Sequence, residues 1–176
     1  VLLLSEAIKD IDIKKLGISS SFTKFLTQSE YIYRFFLEIS SEGIDINEIK
    51  TKDTYEFYSE HLAILSEVLK NYKKLLDKNL FVDRLNLKDN YRINLDYLKL
   101  FEDITIYFEG YFTKQEFEII IKISQAKDLK INFFSNIYNQ KSLQVFKNID
   151  FEIKLDHIYT INLSKKEIIS EITLQE

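Results

Sequence analysis

The stretch that most constrains this chain is Ile104-Thr-Ile-Tyr-Phe-Glu-Gly-Tyr-Phe-Thr-Lys-Gln-Glu116. A β-branched and aromatic run stops at Glu109-Gly110, and Thr113 with Glu116 three residues on has the spacing of a capping box. That predicts a buried strand, a tight turn and a capped helix. In α/β proteins that handle nucleotides, such a junction carries the metal-binding acid. Here the acid is Glu109, the next residue is glycine, and the polar groups expected around it are replaced by Tyr111 and Phe112.

The texture around this junction divides the chain. Phe35, Phe36 and Ile39 follow Ile32 at helical spacing, and two short helices are expected over 19–41. Ser20 or Ser21 would cap the first and Ser29 the second, with Gly43 as the stop. Over 53–78, Tyr55, Tyr58, Leu62, Leu65, Leu69, Tyr72 and Leu76 recur at spacings of three and four, beside a second stripe of Phe57, His61, Ile64, Val68 and Leu75. Two adjacent stripes predict a helix packed inside a globular unit rather than a free coiled coil.

After about residue 90, short runs at 104–108 and 129–134 flank a helix over 113–126, a βαβ spacing that predicts parallel neighbours. A third strand is expected at 159–163 and a weak helix at 142–148. Ser164 with Glu167 suggests a second capping box, opening a short helix over 165–170. The expected fold is α+β or α/β, with a mainly helical subdomain over 1–95 and a partial parallel α/β subdomain over 96–176.

Composition narrows the functions. The net charge is −4 and only Arg34, Arg84 and Arg92 are arginines, so no overall basic field argues for nucleic acid and few positions can grip phosphate bidentately. Cysteine is absent, which excludes disulfides, thiolate metal sites and cysteine nucleophiles and fits a reducing, cytoplasmic compartment. No run approaches the roughly 18 apolar residues of a membrane span. The chain starts at valine and lacks methionine, which suggests a piece of a longer protein. With three glycines, Gly17, Gly43 and Gly110, it holds no glycine-rich phosphate loop.

The ordered series Asp53-Thr-Tyr-Glu-Phe-Tyr-Ser-Glu-His-Leu62, Leu80-Phe-Val-Asp-Arg84, Glu109-Gly110-Tyr111 and Phe112-Thr113-Lys-Gln-Glu116 resembles the AddB-type subunit of bacterial AddAB helicase–nucleases, also described as RecB-family exonucleases. The similarity runs over about residues 20–165. It implies part of a helicase-like region with degraded ATPase motifs, in a subunit that processes DNA double-strand breaks for recombinational repair. An AddA-type helicase subunit would be its partner, and single-stranded DNA would pass nearby. Glu109 and Gly110 would sit at the Mg²⁺ box of an active helicase, and Gln140, with Asn139, where a γ-phosphate sensor lies. One acid followed by glycine cannot both hold Mg²⁺ and polarise water, so the piece is expected to be inactive as an ATPase and to carry no cofactor or metal.

Other candidates are local. Lys70, Lys73, Lys74 and Lys78 crowd one helix end, with Tyr72 among them. They are either a solvated terminus with Tyr72 in the core, or a nucleic-acid contact with Tyr72 stacking on bases. Asp150, Glu152 and Lys154 have the spacing of a nuclease strand, with a surface strand carrying its charges outward as the plainer reading. His61 and His157 are too few for a histidine metal site. The alternative to a DNA-processing role is a protein-interaction or scaffolding domain.

Overall fold

The computed structural model describes residues 2–19, 21–49, 58–87 and 91–173. The chain divides into two compact units, Val1–Tyr91 and Arg92–Glu176, where the sequence suggested a change after residue 95. Among the described residues there are seven α-helices and one four-stranded sheet, and no helix is long and apolar enough to cross a membrane.

In the first unit, α1 (Leu2–Ala7), α2 (Phe22–Ser41), α3 (Ile46–Ile49) and α4 (Ser59–Lys78) surround one core. The two helices expected over 19–41 are one. Phe25, Ile32, Phe36 and Ile39 form a continuous buried stripe, and Ser29 lies within it, its Oγ donating to the Leu26 carbonyl at 3.0 Å instead of capping. Ser21 precedes α2 without a side-chain cap bond, and Ser20 lies outside the described residues.

Gly43 closes α2 with φ of 64°, while Ile44 N–H reaches the Ile39 carbonyl at 2.8 Å. This Schellman closure favours glycine because a β-carbon is disfavoured there. In α4, Leu62, Val68, Tyr72 and Leu76 are buried, with Leu65, Leu69 and Leu75 partly so. Both expected stripes therefore serve the core. Tyr55 and Phe57 lie outside the described residues.

A polar clasp ties α2 to α4. The hydroxyls of Tyr33 and Tyr72 each donate to the Asp83 carboxylate at 2.6 Å, and Leu85 N–H donates to it at 3.2 Å. Burial by itself would raise the Asp83 pKa. The two phenols and the backbone donors outweigh it and hold the carboxyl below its ordinary 3.8. Burial and the bond to Asp83 push Tyr33 up to about 12 and raise Tyr72 as well.

In the second unit, the short α5 (Leu95–Leu98) is capped by Asn94, which accepts from Tyr97 N–H at 3.0 Å. Then follow β1 (Asp103–Phe108), α6 (Lys114–Ser124), β2 (Asp128–Ser135), α7 (Gln144–Lys147), β3 (His157–Asn162) and β4 (Glu167–Thr173). The sheet order is β1-β2-β3-β4. β1 and β2 are parallel as the βαβ spacing predicts, but β2–β3 and β3–β4 are antiparallel. The sheet is mixed, not a parallel core.

The helix expected over 165–170 is instead β4, the return strand of a hairpin. Ser164 does not cap. Its hydroxyl donates to the Lys127 carbonyl at 2.6 Å and accepts from Leu129 N–H at 2.9 Å, and the β-branched run Glu167-Ile-Ile-Ser-Glu-Ile-Thr173 pairs with β3.

Strand alternation gives the sheet two unlike faces. Leu129, Ile131, Phe133, Tyr159 and Ile161 point to one face and cluster with Ile120 of α6 and Phe146 of α7. Tyr107, Phe134, Ile158 and Ile172 point to the other and are exposed.

The Asp83 clasp has a pH signature. A depressed carboxyl pKa gives stability that is present above 3.8 and lost as pH falls through the folded value. The raised Tyr33 phenol gives stability present below 10.0 and lost as pH rises through about 12, and the raised Tyr72 phenol acts in the same direction. Asp83→Asn should lower the unfolding free energy by about 2 kcal/mol at neutral pH. It should also flatten the acid-side decline, measured by urea denaturation with far-ultraviolet circular dichroism at neutral and acid pH.

Candidate functional site

The β1–α6 junction forms as its sequence suggests. Thr113 Oγ1 accepts from Glu116 N–H at 3.2 Å, and the Glu116 carboxylate accepts from Thr113 N–H at 2.9 Å, a complete capping box. Phe112 folds inward, its ring stacked on Phe108 with centroids 4.3 Å apart, while Tyr111 stays exposed. Glu109 and Gly110 stand exposed at the carboxyl end of β1. Gly110 is not in the left-handed region, and a β-carbon there would meet nothing within 4 Å. Neither backbone conformation nor close packing requires glycine at this position. Among the described residues no group of three His, Cys, Asp or Glu side chains could hold a metal ion.

Beside this junction, on the open face of the sheet, lies a cavity of about 480 Å³. Tyr107, Asn132 and Thr160 lie side by side in register on β1, β2 and β3, with Phe134 and Ile158 paired in the next row. Among the described residues Glu109 is the only charged side chain lining the cavity. Asn132 Oδ1 is shielded from solvent and has no hydrogen-bond partner among the described residues. An unpaired buried acceptor costs about 1–3 kcal/mol. Such concavities at the carboxyl ends of strands are where open α/β sheets receive ligands.

The loop after β2 is held by its own side chains. Asn139 Oδ1 accepts from Asn136 N–H at 2.8 Å, and Asn136 Oδ1 accepts from Tyr138 N–H at 2.8 Å and Asn139 N–H at 3.0 Å. Asn139 Nδ2 donates to the Phe134 carbonyl at 2.6 Å. This Asx network fixes the rim of the cavity. Asn139 therefore lines the same cavity as Glu109, while Gln140 is exposed in the following turn.

Lys70, Lys73, Lys74 and Lys78 are exposed on α4, opposite its buried stripe, and none makes an ion pair with another described residue. Glu67 and Asp77 share that helix face and dilute its charge. Tyr72 does not stand among these lysines at the surface. It is 5% exposed and its hydroxyl is committed to Asp83, so its ring cannot stack on a base while the fold is intact.

The remaining candidates are spoken for. Glu152 and Lys154 lie on an extended segment that is not a strand, anchored by buried Phe151 and Ile153, and Lys154 pairs with Glu171 at 2.9 Å. Asp150 takes a left-handed φ of 70°. His61 sits near the Tyr58 ring, with centroids 5.8 Å apart. His157 opens β3, its Nδ1 2.5 Å from the Leu155 carbonyl and its Nε2 3.1 Å from Thr173 Oγ1.

The cavity residues Tyr107, Asn132, Phe134 and Thr160 were not singled out from the sequence. The usable signal was the alternation of Thr105 and Tyr107 against Ile104 and Ile106, and of Lys130, Asn132 and Phe134 against Leu129, Ile131 and Phe133. No protein-family model, curated protein or solved structure matches this chain.

Two substitutions test the local readings. Gly110→Ala should change stability by less than about 0.5 kcal/mol. Asn132→Val, which removes the unpaired acceptor and adds a β-former, should stabilise by about 1 kcal/mol. Both are read from chemical denaturation midpoints.

Proposed function

We propose that this chain is a non-catalytic, helicase-like part of an AddB-type DNA double-strand-break-processing helicase/exonuclease subunit. In this reading it acts in recombinational repair beside an active AddA-type helicase subunit and lines a path for single-stranded DNA. The observation that carries the proposal is the unit β1–Glu109–α6–β2. It is a parallel strand pair with a capped crossover helix and an acid at the strand end, an arrangement shared by α/β folds that bind nucleotides, and it supports the reading. Glu109 has no second acid beside it in sequence, and the chain has no glycine-rich phosphate loop, which supports a role other than hydrolysis. The aromatic, amide-lined cavity next to it and the four lysines on α4 supply stacking and phosphate-attracting groups.

A scaffolding role is the second reading, and one feature favours it. β4 is an edge strand with Ile168, Ile169 and Ile172 exposed, and Phe134, Ile158 and Ile172 make an apolar row across three strands.

A fluorescence-anisotropy titration with labelled single-stranded DNA at two salt concentrations separates the two. The DNA reading expects binding that weakens with salt. Lys73→Glu with Lys74→Glu should then lower affinity about tenfold and flatten the salt slope by about 0.7 for each lysine–phosphate pair removed. Circular dichroism should show unchanged helicity. Absence of binding at low salt would leave the scaffolding reading.

A further inference from the structure

The cavity beside Glu109 carries chemistry more specific than a DNA path. Its walls are aromatic. Tyr107 is 76% exposed and Phe134 37%, on neighbouring strands and diagonal to one another. With strands about 4.8 Å apart and a rise of about 3.3 Å per residue, such diagonal neighbours stand about 8 Å apart, within reach of a single flat ring system. Exposed aromatic faces at that spacing favour a planar π-ligand.

Its amides and hydroxyls offer donors and acceptors alike, and Glu109 is the one side chain among its described residues that only accepts. The Glu109 carboxylate makes no ion pair with another described residue, and Asn132 Oδ1 has no donor among them. A ligand edge that pairs with both oxygens of the carboxylate presents adjacent N–H donors. Among nucleobases only guanine places a ring N–H beside an exocyclic amino group on its pairing edge, the complement of a carboxylate with two acceptor oxygens. Thymine offers a single imide N–H. Adenine and cytosine each set a ring acceptor against the carboxylate. Because Glu109 is the only charge among the described residues of the cavity, it repels phosphate, so a base enters while its backbone stays outside.

We propose that this cavity binds one unpaired guanine base. The ring stacks on Tyr107 and Phe134 and donates N1–H and N2–H to Glu109, while Asn132 Oδ1 serves as a further acceptor. Contact with Oδ1 requires a flanking side chain to move, and Tyr107 has the exposure to do so. The inference rests on the DNA-path reading only for the polymer that carries the base.

The test uses the whole chain and two probes. The first is a set of oligothymidylates of about 12 nucleotides, a length that spans a typical single-strand site, with one central dT replaced by dG, dA or dC. The second is deoxyguanosine alone, followed by ¹⁵N–¹H shifts at Tyr107 and Asn132. The dG oligonucleotide should bind about tenfold tighter than the others, and Glu109→Gln should remove the preference. Phe134→Leu, which keeps an apolar side chain without the ring, should weaken dG binding about fivefold or more. Equal binding of every oligonucleotide, with no shifts from deoxyguanosine, overturns the guanine site and leaves the DNA path standing. Deoxyguanosine shifts that vanish in Glu109→Gln, with no oligonucleotide binding, retain the site and overturn the path. No binding of either probe overturns both.

Discussion

The second unit depends on a sheet that buries one face only. Along β1, β2 and β3, apolar residues given to the α6 and α7 side place their neighbours on the open side, while the β3–β4 pairing shifts register between Thr160 and Ile161. A parallel β1–β2 pair requires a crossover. The crossover helix takes one face, and both strands end at the same edge, one in Glu109 and the other in the Asn136–Asn139 turn. The cavity follows from that arrangement. It forms where the parallel ends, the antiparallel β3 and the uncovered face meet.

The first unit is organised differently. Its stripes of Leu, Ile and Phe supply the bulk of the burial, at about 1.5–3 kcal/mol for each fully buried side chain. Apolar stripes fix the register of helices loosely. The Asp83 carboxylate, reached by one phenol from α2 and another from α4, adds directional bonds that a slipped packing would leave unmade. Ser40 Oγ donates to the Leu85 carbonyl at 2.9 Å and ties the segment after Asp83 to the end of α2.

Features decided within a few residues were legible in the sequence. The Thr113–Glu116 box, the Gly43 stop and the βαβ spacing all depend on neighbours along the chain. Ser164–Glu167 has the same signature and fails. Its hydroxyl is taken by Lys127 and Leu129, more than thirty residues away, and β3 offers its β-branched run a partner. Ser29 misled for a similar reason, since a buried serine bonding within its own helix looks like a cap in sequence. Tyr72 shares a short stretch with four lysines yet points the other way, because adjacent helical positions differ by about 100°. Asn132 was invisible as a site residue because its meaning comes from Tyr107 and Thr160 on two other strands.

The Asp83 clasp also separates two responses to ionic strength. Its negative charge is satisfied by phenols and backbone amides rather than by lysine or arginine, so mobile ions find no exposed pair there to weaken. The surface pairs Glu30–Arg34, Asp96–Lys99 and Asp103–Lys130 are exposed to the full ion atmosphere, with a screening length of about 8–10 Å in ordinary buffers. Added salt therefore quiets the α4 lysines while leaving the helices that present them in place. A salt titration of this chain reports on its surface charges with little contribution from loosening of the helical core.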